Sequence, residues 1–132
     1  MIFNRINIKS IKDSEFIDIT TTIKKIIVSE NFIEGLCSVF VPHTTAGITI
    51  NEAADPDVVK DILGHLEKKV LHNDNYLHAE GNSAAHIKAL ITGSSVTVPV
   101  KEGKLILGTW QGIYFCEYDG PRSRSYFISL IS

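Results

Sequence analysis

His78 and His86 enclose the nonapeptide HAEGNSAAH, which sets two imidazoles, a carboxylate, a primary amide and a hydroxyl among glycine and alanine. Polar groups so dense are poor core material, because each needs a partner once it leaves water. Neutral imidazole is a common metal ligand, and the small neighbours leave room for a second molecule. Asn82 or Ser83 is expected to cap a following helix, whose free N–H groups would then face the loop carrying His78 and Glu80. Such a helix start favours phosphate or carboxylate. The segment therefore reads as a site for a metal, an anion, or both. The plainer alternative is a helix cap beside a hydrogen-bonded histidine.

A second group lies in VPHTTAGITINEAADPD, residues 41–57. His43 follows a strand-like run and a proline, so its ring is expected to leave a sheet at one end. Thr44 and Thr45 add hydroxyls, while Asn51 and Glu52 sit where the next strand should stop. Functional side chains often collect where rigid strands pass into loops. Taken alone, the segment is better read as turn hydrogen bonds from the threonines with His43 capping a strand end.

The third group is LGTWQGIYFCEYDGPRSR, residues 107–124. Gly108 and Gly112 bracket Thr109, Trp110 and Gln111, and glycine in a strand pattern marks a bulge or a close approach. Trp110 is either a stacking platform or a core residue. Glu117, Asp119, Arg122 and Arg124 form a charged turn, which reads as solvated if nothing else supports it. Arg122, placed just after Gly-Pro, has the two-pronged geometry that suits phosphate.

The other histidines carry less. His65 reads as packed at the edge of an apolar stripe, and His72 as solvated beside Asn73 and Asp74. Asp74 itself is within loop reach of the site.

These residues must be positioned by a largely β framework. Residues 2–9 and 15–20 alternate apolar and polar, predicting two strands. Thr20, Thr21 and Thr22 predict the capped start of a helix that ends near Asn31. Residues 35–42 and 46–51 read as strands joined at the His-Thr-Thr turn. Asp55 and Pro56 predict a helix to Val70, with Val58, Val59, Ile62, Leu63 and Leu66 on one face. Gly64, unfavourable in a helix, is expected to mark a close contact. A polar loop over 71–81 leads to a helix from Asn82 or Ser83 to Leu90 or Ile91. Strands are expected at 94–100, 104–107, 111–118 and 124–131, with turns at Glu102-Gly103 and Asp119–Pro121. The fold class is α+β: one domain over 1–132, mostly an antiparallel β-sandwich with about three helices.

Composition narrows the function classes. At 132 residues, 44% apolar and 21% charged, the chain has the makeup of one soluble domain. A net charge of −2 and the lack of a basic tract argue against nucleic acid as partner. No run is apolar enough for a bilayer, and the N-terminus lacks a signal-peptide core. A cytoplasmic location is the expectation, with Cys37 and Cys116 as buried thiols.

The segments PHTTAGITINEAADPDV, HAEGNSAAHIKA and SVTVPVKEGKLILGTWQGIYFCEYDGPR, in this order, resemble the YjbQ-like family, also called the secondary thiamine-phosphate synthase family. The resemblance implies a β-sandwich fold, a homotrimer with sites near subunit boundaries, and weak thiamine-phosphate synthase activity. It implies a polar cluster of His43, Asn51, Glu52, Asp55, His78, His86, Trp110, Gln111 and Arg122. Many members have a longer loop before the second helix, with proline ahead of the final Ala-His. Here the loop is short, which displaces Glu80 from the family pattern, and Ala84 takes the proline's place.

The implied reaction joins a pyrimidine-methyl pyrophosphate to a thiazole phosphate and releases pyrophosphate. A divalent metal, zinc or magnesium, would offset the charge that develops on the leaving group. In this expectation His43, His78 and His86 hold the metal. Glu52, Asp55 or Asp74 completes its shell or holds water, and Arg122 neutralises phosphate. Thr44, Thr45, Asn51, Asn82, Ser83, Trp110 and Gln111 contact a small phosphorylated substrate. A metal-dependent hydrolase and a non-catalytic metabolite-binding trimer are the competing classes.

Overall fold

A computed structural model describes all residues, 1–132. The alternation in the first strand settles the architecture from the outset. In β1 (Ile2–Lys9), Ile2, Ile6 and Ile8 turn inward while Phe3, Arg5, Asn7 and Lys9 face out. The strands are β2 (Glu15–Asp18), β3 (Gly35–Phe40), β4 (Ala46–Glu52), β5 (Ser95–Lys101), β6 (Lys104–Leu105), β7 (Gln111–Glu117) and β8 (Ser123–Ile131). The helices are α1 (Thr20–Ser29), α2 (Pro56–Lys69) and α3 (Ser83–Thr92).

One sheet has five strands in the order β1-β8-β3-β5-β6, and a second has three in the order β2-β7-β4. All pairings are antiparallel. The sheets pack face to face over Val39, Val98, Tyr126, Ile128 and Leu130 from one side and Ile48, Ile113 and Phe115 from the other. Ile23 and Ile27 of α1 enter the same core. The expected α+β sandwich is therefore present, with three helices.

Alternation along β7 builds a second layer. Tyr114, Cys116 and Tyr118 point away from the main core and pack with Ala85 and Ala89 of α3 and with Val59 and Leu66 of α2. The outcome is helices over the three-stranded sheet, that sheet over the five-stranded one, and nothing over the outer face of the latter. Gly47 makes the α3 junction possible, since a Cβ there would stand 2.7 Å from the Gly93 carbonyl oxygen.

Several local expectations need correction. The strands expected at 15–20, 35–42 and 104–107 stop at Asp18, Phe40 and Leu105, and α3 continues to Thr92. The threonines do not cap α1. Instead Asp18 accepts from the Thr20 N–H at 2.9 Å, and the Thr20 hydroxyl accepts from the Ile113 N–H at 2.9 Å. Asn82 occupies the N-cap position of α3 without a side-chain capping bond. Gly64 has open space around it, not a close contact, and His65 is exposed because it falls off the packed face of α2. His72 is exposed as expected, and both cysteines are buried free thiols. Asp55 caps α2 as predicted, accepting from the Asp57 N–H at 2.9 Å.

Candidate functional site

β4 and β7 decide which polar residues can meet. Ala46 lies opposite Glu117, and Glu52 lies opposite Gln111. Six residue steps of about 3.3 Å separate these pairs, or about 20 Å. His43, Thr45, Glu117 and the hairpin turn after it thus occupy one end of the sheet. Asn51, Glu52, Asp55, Trp110 and Gln111 occupy the other. The single cluster expected from the sequence is divided between two ends of the chain's smaller sheet.

The far-end residues spend their polar groups locally. Asn51 accepts from the Glu52 N–H at 2.8 Å, Glu52 accepts from the Ala54 N–H at 2.8 Å, and Gln111 accepts from the Gly108 N–H at 2.8 Å. Gly112 does mark a close approach: a Cβ there would stand 2.6 Å from that of Ala53. Trp110 is 64% exposed, so it is not a core residue.

At the near end, the turn after β7 joins two of the expected segments. Asp119 accepts from Arg122 Nη2 at 2.8 Å and from Asn82 Nδ2 at 3.0 Å. Arg122 Nε also donates to the Asp119 carbonyl at 2.7 Å. Arg122 and Asn82 are thus brought together, but through a carboxylate that offsets the arginine's charge. Ser83 begins α3, and the His78 and His86 rings meet edge to face, 5.4 Å apart. Glu80 approaches His78 only to 4.0 Å and stays exposed.

Behind the turn lies a buried network. Glu117 is fully enclosed and accepts from Arg124 Nε at 2.9 Å and from the Ser10 hydroxyl at 2.7 Å. Arg124 Nη2 bonds the other Glu117 oxygen and donates to the Thr45 hydroxyl at 2.9 Å. Burial pushes the Glu117 carboxyl upward, but hydrogen bonds from Arg124, Ser10 and the Asp119 N–H outweigh it and hold the group below the usual carboxylate range. This pair belongs to the core, so the turn expected to be solvated is only partly so. Each sheet supplies one partner, which ties their ends together.

His43 rests on this frame. The Ser125 N–H donates to its Nε2 at 3.1 Å. With the proton on Nε2 instead, the ring donates to the Ser125 carbonyl, also at 3.1 Å. Burial is the largest influence on the ring and lowers its pKa, and nearby Arg124 lowers it further. Both effects disfavour the protonated ring, and Nδ1 is the nitrogen not bonded to the backbone. Thr44 is exposed beside it.

His43 forms one wall of a groove of about 550 Å³ that also draws on Arg5, Asn7 and Lys9 of β1 and on Ser123 and Ser125 of β8. Arg124 reaches its base. The sequence singled out none of the three β1 residues, because alternate polar residues on a strand read as an ordinary wet face. Only the register of β1 on β8, which puts Asn7 opposite Ser125 and Lys9 opposite Ser123, carries them to His43.

The fit to a metal is poor within one chain. The fold does not gather His43 with His78 and His86, and no group of three or more His, Cys, Asp or Glu side chains is arranged to hold an ion. His43 has committed Nε2 to the backbone.

The model of the UPF0047 protein YjbQ-like family matches residues 4–132. The chain belongs to the YjbQ-like family. It is 49% identical over 124 residues to UPF0047 protein MJ1081 of Methanocaldococcus jannaschii, covering 94% of this chain and 90% of that one. It is 47% identical over 127 residues to YugU of Bacillus subtilis, covering 96% of each. Among solved structures, a YjbQ/UPF0047 family protein from Clostridium acetobutylicum superposes with a TM-score of 0.94 at 52% identity, covering 97% of this chain and 99% of that one. A hypothetical protein from Aeropyrum pernix K1 superposes at 0.95 with 32% identity, covering 100% and 99%. The YjbQ-like fold is thus shared across the whole chain. No helix is long and apolar enough to cross a membrane.

Proposed function

We propose that the protein binds a small phosphorylated metabolite in the His43 groove and supports a weak transfer of the thiamine-phosphate synthase kind. The observation that carries this reading is an imidazole, held by the Ser125 backbone, on the wall of a polar groove of about 550 Å³. That volume suits a small metabolite. In the transfer, the bond from the pyrimidine methylene to the pyrophosphate oxygen breaks, and its electron pair stays on oxygen. The thiazole nitrogen forms the new carbon–nitrogen bond. The groove's cationic and hydroxyl groups stabilise the departing negative charge, which is where such a site gains rate. His43 Nδ1 is available to exchange a proton with a phosphate oxygen. A zinc or magnesium ion would assist by offsetting charge, and the residues of one chain do not by themselves form its shell.

The working unit in this reading is a homotrimer, as the family resemblance implies. Its support in the fold is the uncovered outer face of the five-stranded sheet. There Phe3 and Phe127 stack at 5.2 Å, with Leu36, Phe40 and Ile131 also exposed or half-buried. The groove adjoins this apolar face, so a partner seated there would place the groove near a subunit boundary.

A second reading is a non-catalytic metabolite-binding trimer. It is favoured by the local hydrogen bonds that occupy Asn51, Glu52, Asp55 and Gln111. Single-turnover assays with the pyrimidine pyrophosphate and thiazole phosphate, with and without chelator, separate the two. Transfer should yield thiamine phosphate and pyrophosphate in equal amounts, and His43→Gln should lower the rate at least tenfold. Saturable binding with no product would support the second reading.

A further inference from the structure

Arg122, the cation the sequence offered for phosphate, is already engaged by Asp119; Arg124 is engaged by Glu117, and Lys88 by Glu67 at 2.8 Å. Arg5 and Lys9 are in no ion pair. Both line the His43 groove, and no carboxylate does. They lie on the same face of β1, four residues apart, with Asn7 between them. Their α-carbons are about 13 Å apart, since each residue advances about 3.3 Å along the strand. Two long, flexible side chains can converge from that separation on one ligand or grip two anionic groups. Ser123 and Ser125 lie directly across from Lys9 and Asn7. The groove floor adds no net charge, because Arg124 is balanced by Glu117. Its positive field therefore comes from β1, within a chain of net charge −2.

We propose that this groove is a phosphate-class anion site in which Arg5 and Lys9 supply the charge and Asn7, Ser123 and Ser125 supply hydrogen bonds. A ligand carrying two linked phosphates fits it better than one carrying a single phosphate, because the two cations are spaced along the strand. Charge-assisted bonds to phosphate oxygens are the strong class, and arginine can make two in parallel. The inference rests on the groove being the site, not on any reaction occurring there.

The test is calorimetric titration of the intact protein with inorganic phosphate and with pyrophosphate at low and moderate salt. Saturable binding is expected for both, tighter for pyrophosphate and weakened by salt. Arg5→Gln with Lys9→Gln should reduce pyrophosphate affinity at least tenfold while the circular dichroism spectrum and melting temperature hold. These positions face outward, so the double variant is expected to fold. Three results would overturn the proposal: no saturable binding to the native protein, unchanged affinity in the folded double variant, or loss confined to Arg122→Gln. Light scattering on the same samples closes the remaining route. A double variant that changes assembly mass but keeps its pyrophosphate affinity assigns Arg5 and Lys9 to an interface instead. Anion binding without thiamine-phosphate formation would leave this site standing and remove the transferase reading.

Discussion

His43 and Glu117 sit beside each other yet respond to acid in different windows. The folded state lowers the His43 pKa, so between its folded and unfolded values the unfolded chain binds more protons. Stability from this group is complete above the ordinary histidine range and falls as pH drops through it. Glu117 is also depressed, so its contribution is present above the usual carboxylate range and is lost as pH falls below that range. Urea midpoints measured against pH should therefore fall in two steps, and His43→Gln should remove the upper one. Replacing Glu117 by Gln should cost about 3–5 kcal/mol, since it strands a buried arginine charge. Pairing Glu117→Leu with Arg124→Met should cost less than Glu117→Gln alone, measurable by the same denaturation.

At the scale of the element, α2 shows how two residues on one helix can have opposite effects. Asp55→Ala removes the bond to the Asp57 N–H and should destabilise by about 1 kcal/mol. Gly64→Ala meets nothing within 4 Å and should stabilise by about 0.5–1 kcal/mol. Melting temperatures of the two variants should shift in opposite directions. Elements were also where the sequence was most readable. Strand alternation and the Asp55-Pro56 start depend on neighbours a few residues away, so β1, α2 and β7 could be read directly. Capping was less legible. Asp18, two residues before Thr20, takes both the Thr20 N–H and its hydroxyl, and Asn82 turns to Asp119, a partner 37 residues on that adjacent sequence does not reveal. The groove was least legible, since it depends on β1 pairing with β8 more than a hundred residues away.

For the whole molecule, one layer remains open to water. The outer face of the five-stranded sheet presents Phe3 at 58% exposure, Phe40 at 45% and Leu36 at 44%. In the proposed trimer this apolar face supplies the contact between copies. For the proposed homotrimer, light scattering should return about three times the 14.6 kDa chain mass. Phe3→Glu with Phe40→Glu should reduce that mass, because each places an unpaired charge on the face.

The division imposed by β4 has a genetic counterpart. Any reaction that needs both ends of the strand must draw them from different chains, since about 20 Å separates them within one. If the proposed transfer draws on both ends across a subunit boundary, the variants His43→Gln and Trp110→Ala should rescue each other in trans. Mixed and reassembled, they should then recover more of the proposed transfer than either shows alone. A mixture that remains inactive would place all the chemistry at the His43 end.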